Sequence, residues 1–321
     1  MLSMILTSRE VVVTEFTIVM TGATAGLGAY AAKLLAEQPN TRLIAGVRGS
    51  GRDVSGAQVL PLDLASLDSV TQFVDEVKNE LGQTPIDVLV LNAGIQFRDT
   101  NHRTVDGFET TFAVNHLAHY LLARLLVPGI ADGGRLVITT SDTHDPAIIP
   151  FGPRALDPAH LAHPESGGAI AGLRAYASSK LCNLLTARSF AASDEIVRRR
   201  IDVVAYNPGL TLGTNLVGES MSGRVVTGAL RPVLRLLSAA RPAFYPGRLE
   251  TAGEALADLS TGAVKPPEGR LYASLVKGRL TFPDPAPLAR DDRAADGLWR
   301  ASAAMVGIKA DRNPGESPRT R

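Results

Sequence analysis

The chain has 321 residues and a mass of 33.9 kDa, a size at which a single α/β domain buries about three quarters of its unfolded surface. Hydrophobic residues make up 45% and charged residues 20%, and Lys+Arg 33 against Asp+Glu 32 leaves a net charge of +1, which excludes global disorder and gives no basic face for nucleic acid. The single cysteine, Cys182, excludes an intrachain disulfide and a Cys-rich zinc site. Apolar runs never reach the ~18 residues of a membrane span. Arg9, Glu10 and Glu15 interrupt the N-terminal apolar stretch, so no secretory leader is read and the expected location is the cytoplasm.

Phe16–Thr21 is a continuous apolar run that stops at Gly22, as a buried strand would. Leu27–Glu37 has helical spacing, Arg42–Val47 is a second strand, and Gln58–Pro61 is a weaker third. Ser66 is placed to cap a helix reaching about Leu81, whose face carries Val70, Phe73, Val74 and Val77. A strand at Ile86–Leu91, a helix at Phe108–Val127, a strand at Arg135–Thr140, a helix at Tyr176–Ala192 and a strand at Ile201–Tyr206 follow. This alternation predicts one doubly wound Rossmann-type α/β domain over 1–321. Its parallel sheet of about seven strands, order 3-2-1-4-5-6-7, has helices on both faces. Residues 16–210 form the dinucleotide-binding and catalytic core. Residues 211–250 read as a substrate lid region, and 310–321 as a frayed tail. Within the lid region, an apolar stripe from Val225 to Leu237 admits three readings: a cover for a lipophilic substrate, a membrane-surface helix, or a helix packed on the domain.

Gly22, Thr24, Ala25, Gly26, Leu27 and Gly28 lie between the first strand and the first helix. Glycines there allow a tight turn and close backbone approach to a pyrophosphate, and the helix N-terminus supplies N–H donors. Arg48 stands at the end of the second strand, where an acidic residue would favour NAD. A guanidinium there pairs with a 2′-phosphate, so the expected cofactor is NADP(H). Asp63 and Leu64 follow the third strand near the adenine position. Asn92, Ala93 and Gly94 end the fourth strand at the crevice.

Tyr176 and Lys180 are four apart and share a helix face. With six Tyr and six Lys in the chain, chance supplies such a pair roughly 0.1 times. The ammonium is expected to lower the phenol pKa and make Tyr176 a general acid/base. Ser141, at the end of the fifth strand, is placed to hydrogen-bond the reacting oxygen, with Thr139 and Thr140 as neighbouring substitutes. Asn115 is a poor mid-helix residue and needs a reason; a water held near Lys180 is one. His144, His160 and His163 fall in a proline-rich loop, read as solvated and without a metal. His116 and His119 read as packing residues, and Cys182 as a small core hydrophobe.

Together these residues resemble the short-chain dehydrogenase/reductase family over roughly residues 17–216. The resemblance implies a tetrad of Asn115, Ser141, Tyr176 and Lys180, with Lys180 and Tyr176 also contacting the nicotinamide ribose. It places Pro208 and Gly209 in a turn beside the nicotinamide and Thr214 on its carboxamide. Leu62–Val70, Asp106–Glu109, Asn115–Leu117 and Ser179–Asn183 are most similar to the branch of retinol dehydrogenases and light-dependent protochlorophyllide reductases. Protochlorophyllide reductases carry a cysteine where this chain has Leu210, which points to a dark hydride transfer. The expected activity interconverts a ketone or aldehyde and its alcohol on a lipophilic or bulky small molecule. A protochlorophyllide-reductase-like C=C reductase and a non-catalytic NADP(H)-binding sensor are the alternatives. The family also implies a homodimer or homotetramer.

Overall fold

The computed structural model describes residues 15–49, 52–211 and 244–310. In chain order its first half contains β1 (Phe16–Thr21), α1 (Gly26–Ala36), β2 (Thr41–Val47), β3 (Ala57–Pro61), α2 (Leu67–Leu81) and β4 (Ile86–Leu91). There follow α3 (Thr110–Phe112), a π-helical turn (Ala113–Leu117), α4 (Ala118–Leu126), β5 (Ile130–Thr139) and a 3-10 turn (Asp142–His144). The chain continues through α5 (Pro158–Ala162), α6 (Ala169–Ala191), α7 (Asp194–Arg199) and β6 (Asp202–Asn207). Residues 212–243, which hold most of the expected lid region and its Val225–Leu237 stripe, lie outside the described residues; after them come α8 (Leu249–Thr261), β7 (Tyr272–Val276), β8 (Arg279–Thr281) and α9 (Asp292–Met305).

The strands form one sheet in the order β3-β2-β1-β4-β5-β6-β7-β8. Every neighbouring pair is parallel except β7 and β8. Apolar side chains alternate to both faces. Ile18, Met20, Val88 and Val137 pack under α1 and α8, while Val19, Ile44, Leu89 and Leu136 pack against α2, α4, α6 and α9. Parallel strands covered on both faces are apolar along their length, which is why β1 and β4 are readable as short apolar runs.

The expected order holds, with an eighth strand added. β8 returns antiparallel through a two-residue turn at Lys277 and Gly278, both at positive φ (50° and 76°). Helix α6 begins at Ala169, so Tyr176 lies two turns inside it rather than at its start. The helix expected at Phe108–Val127 is interrupted by the π turn around Asn115. Strand β5 starts at Ile130 and ends at Thr139, leaving Ser141 just beyond it. Helices α8 and α9 complete the two layers.

Two residues of the Asp106–Glu109 stretch shape the approach to the π turn. The Asp106 carboxylate accepts the Leu67 N–H at the start of α2 (3.1 Å). The buried Glu109 carboxylate caps α3, accepting from Thr111 and Phe112 N–H at 3.0 and 2.7 Å. Burial pushes the Glu109 carboxyl up, against those two N–H donors and Arg103. Among the described residues no helix is long and apolar enough to cross a membrane.

Candidate active site

The C-terminal ends of β1, β4, β5 and β6 open onto one crevice edge, and each delivers a part of the site. At the end of β1, Thr21 Oγ1 accepts the N–H groups of Asn92 and Ala93 (3.0 and 3.1 Å). The Asn92 amide donates to the Gly22 carbonyl (3.2 Å) and accepts from Thr139 Oγ1 (3.0 Å), so it laces β1, β4 and β5 together. Asn92 is therefore a support for the glycine loop.

The loop itself fits a pyrophosphate. Gly22 lies at φ +72°, and a Cβ there would sit 2.7 Å from the Ala93 backbone. A Cβ on Gly28 would run into the Gly22 carbonyl and the Asn92 amide. The first turn of α1 follows Ala25, which offers no capping side chain, so its N–H donors point outward without one. Gly28→Ala is accordingly expected to weaken dinucleotide binding by at least ~10-fold, from the displaced donors. A fluorescence titration matching the unsubstituted protein would contradict that fit.

Arg48 is exposed at the first position beyond β2. The β2–β3 register pairs Val47 with Pro61, so Arg48 and the Leu62–Leu64 segment leave adjacent strands at the same end. The Asp63 carboxylate accepts from the Ala65 N–H (3.0 Å). Thr214 lies outside the described residues.

On the other side of the crevice, α6 presents Tyr176 and Lys180, both buried. Lys180 Nζ sits 5.6 Å from the Tyr176 ring centroid and 3.5 Å from the Thr139 carbonyl. Burial brings the Lys180 ammonium down to about 8. The expected lowering of the Tyr176 pKa is not what the structure holds: burial and then the Asp142 carboxylate push the phenol up, and the group that lowers it is the Ser141 hydroxyl. Tyr176 is thus held protonated, as a proton donor needs to be.

Ser141 is the hydroxyl that hydrogen-bonds the Tyr176 phenol. Thr139 Oγ1 is committed to Asn92, and Thr140 Oγ1 donates to the Lys180 carbonyl (2.7 Å), which removes both as substitutes. Ser141 Oγ accepts the Thr143 N–H (3.3 Å), starting the 3-10 turn. At the end of β6, the Asn207 carboxamide accepts from Gly209 N–H (2.9 Å) and donates to Ser274 Oγ (3.0 Å), fixing the Pro208-Gly209 turn against β7.

The short chain dehydrogenase family model matches residues 16–149. Protochlorophyllide reductase A, chloroplastic, of Arabidopsis thaliana is 34% identical over 337 residues, covering 94% of this chain and 79% of that protein. The chain belongs to the short-chain dehydrogenase/reductase family. Dehydrogenase/reductase SDR family member 13 of Bos taurus is 32% identical over 314 residues, covering 94% of this chain and 74% of that protein. Among solved structures, an uncharacterized protein from Mycobacterium Paratuberculosis superposes with a TM-score of 0.66 at 26% identity, covering 93% of this chain and 96% of that one. The protein is an oxidoreductase of this family, which works with a nicotinamide dinucleotide.

In this short-chain dehydrogenase/reductase, Asn115 acts through the chain around it. Its Oδ1 accepts the Ile95 N–H (2.8 Å), and its Nδ2 donates to the Ile95 carbonyl (2.9 Å) and to Ser179 Oγ (3.0 Å). Ser179 in turn donates to the Tyr176 carbonyl (2.7 Å). Both amide donors are spent, so the side chain ties the π turn to α6 rather than reaching toward Lys180. The backbone carbonyl of Asn115 accepts from His119 Nδ1 (3.1 Å). That bond puts the proton on Nδ1, so Nε2 accepts from Thr21 Oγ1 (3.0 Å).

His144 is buried, against the expectation of a solvated loop, whereas His160 and His163 are exposed. Its Nδ1 donates to the Ser141 carbonyl (2.6 Å), and its Nε2 accepts the Ala286 N–H (3.3 Å). Sequence reasoning missed this clamp because Ala286 lies 142 residues away. His116 is a packing residue against Phe112 and Tyr120, with Nε2 2.8 Å from Ser302 Oγ. Cys182 is fully buried, and burial pushes its thiol up.

The buried imidazoles make stability pH-dependent. Burial lowers His119 from 6.5 to about 4 and His116 from 6.5 to about 3. Between those values the unfolded chain binds more protons than the native one, so this contribution to stability is lost as pH falls below 6.5. The raised carboxyls of Asp142 and Glu109 act in the opposite sense, so the test is differential. His119→Gln is expected to flatten the fall of Tm between about pH 7 and about pH 5; an unchanged slope would contradict a neutral buried imidazole.

Proposed function

We propose that this protein is an NADP(H)-dependent reductase of a ketone or aldehyde on a lipophilic or bulky small molecule. One observation carries the reading: Ser141, Tyr176 and Lys180 gather at the end of β5, on the same C-terminal edge of the sheet that carries the glycine loop and the exposed Arg48. When bound, NADPH supplies the hydride. The chain's own residues do the rest. Ser141 Oγ donates to the carbonyl oxygen, and Tyr176 delivers its phenolic proton to the same oxygen as negative charge develops there. Lys180, cationic below about 8, places positive charge behind the phenol and beside the ribose position. Arg48 pairs with the 2′-phosphate, and the first turn of α1 takes the pyrophosphate.

The similarity to Arabidopsis thaliana protochlorophyllide reductase A supports a second reading, reduction of a C=C bond. Leu210, in the place of that branch's cysteine, weighs against it, and light-dependent turnover would reverse the preference. Fluorescence titration with NADPH and NADH tests the cofactor assignment. Tighter NADPH binding is expected; a reversed order keeps the fold and overturns the role of Arg48.

A further inference from the structure

The 3-10 turn that carries Ser141 also carries a carboxyl that the proposed chemistry does not use. Asp142 is half-buried at the crevice, and Ser141 Oγ donates to its Oδ1 at 3.4 Å. Its charge acts on Tyr176 from α6 and on Tyr272 from β7, raising both phenols. The Tyr272 hydroxyl bonds Ser274 and Asn207 instead. The hydrogen bonds that Asp142 receives come from Ser141 and from its own backbone N–H, and Asp145 adds like charge nearby. Among the described residues no Lys, Arg or His forms an ion pair with it. Burial pushes the carboxyl up to about 6, so it is ionised at neutral pH, yet short of partners.

A carboxylate in that state is costly to cover with a substrate that brings no donor. The carbonyl oxygen held by Ser141 and Tyr176 is itself an acceptor and cannot satisfy Asp142. A donor on the atom next to the carbonyl carbon can, because the Ser141 hydroxyl and the Asp142 carboxylate are a single hydrogen bond apart. We infer that Asp142 is a specificity residue that recognises a hydrogen-bond donor, an ammonium ahead of a hydroxyl, carried beside the carbonyl that is reduced. The substrate class is thus an α-amino or α-hydroxy ketone or aldehyde. The ammonium ranks first because it supplies the countercharge that the pocket lacks. This inference rests on the reading of the protein as a carbonyl reductase.

Initial rates with NADPH are compared for α-aminoacetophenone, α-hydroxyacetophenone and acetophenone. The unsubstituted protein is expected to favour the two donor-bearing ketones over acetophenone by roughly 10- to 100-fold in kcat/KM. Asp142→Ala is expected to bring both ratios down at least ~10-fold. Asp142→Asn keeps an acceptor and removes the charge, so the amino preference is expected to collapse while the hydroxy preference stays within a few-fold. NADPH titration of each variant reports whether the fold survives, and Asp142→Asn, close to isosteric, carries the test if Asp142→Ala does not fold. Equal kcat/KM for the three ketones, or ratios that Asp142 substitution leaves in place, would overturn this inference alone. If NADPH binds and none of the three is reduced, the carbonyl-reductase reading falls, and this inference with it.

Discussion

Tyr176→Phe is expected to lower kcat by ~10³-fold or more while NADPH affinity changes less than about threefold. The substitution removes one oxygen from a residue that is 8% exposed and leaves the ring in place over α6. Three features support the proposed role of that oxygen as the proton source. It faces the Ser141 hydroxyl, and its proton is held tightly by burial and by Asp142. The Lys180 ammonium lies 5.6 Å from its ring centroid. Tyr206 and Tyr272 do not substitute, because Tyr206 OH donates to the Ala252 carbonyl (2.8 Å) and Tyr272 is bonded to Ser274 and Asn207. The loss should fall on kcat more than on KM, since the proton is delivered only as charge develops. Retention of more than about a tenth of kcat would remove Tyr176 from the proton-donor role.

Arg48→Asp is expected to shift the ratio of NADPH to NADH affinity by ~100-fold or more toward NADH. A charge-assisted pair with a phosphate contributes about 2–3 kcal/mol, and a carboxylate in its place adds repulsion. The position is suited to the exchange because Arg48 is exposed and outside the strand, so the fold does not depend on it. The ratio is measured by parallel titrations of both proteins with both cofactors. An unmoved ratio would mean that the 2′-phosphate is read elsewhere.

The features that sequence reasoning recovered are local ones. A buried parallel strand followed by glycine and an apolar helix can be read within about twenty residues, and β1, the glycine loop and α1 lie within residues 16–36. Tyr176 and Lys180 are one helical turn apart, so their shared face needs no tertiary information. Asn115 was legible as an anomaly, but its partners were not, because Ile95 and Ser179 are 20 and 64 residues away. The same holds for His144, whose neutral clamp between Ser141 and Ala286 exists only once β5 and the segment before α9 meet. The first two turns of α6 follow Gly167 and Gly168 with no capping side chain, which hid its true start. The β7–β8 hairpin turns on Lys277 rather than the asparagine or aspartate that usually marks positive φ. The direction of the Tyr176 shift failed for a related reason. Spacing reveals that an ammonium is nearby, but not that burial and a carboxylate from another turn push the phenol up.

The most direct test of the account follows the hydride. NADPH carrying deuterium at the nicotinamide C4 is incubated with the protein and a panel of ketones and aldehydes, and the products are read by mass spectrometry. Deuterium is expected on the carbinol carbon of at least one product, with the label absent when Tyr176→Phe replaces the unsubstituted protein. Deuterium delivered to a C=C bond, or NADPH bound without transfer to any carbonyl in the panel, would contradict it.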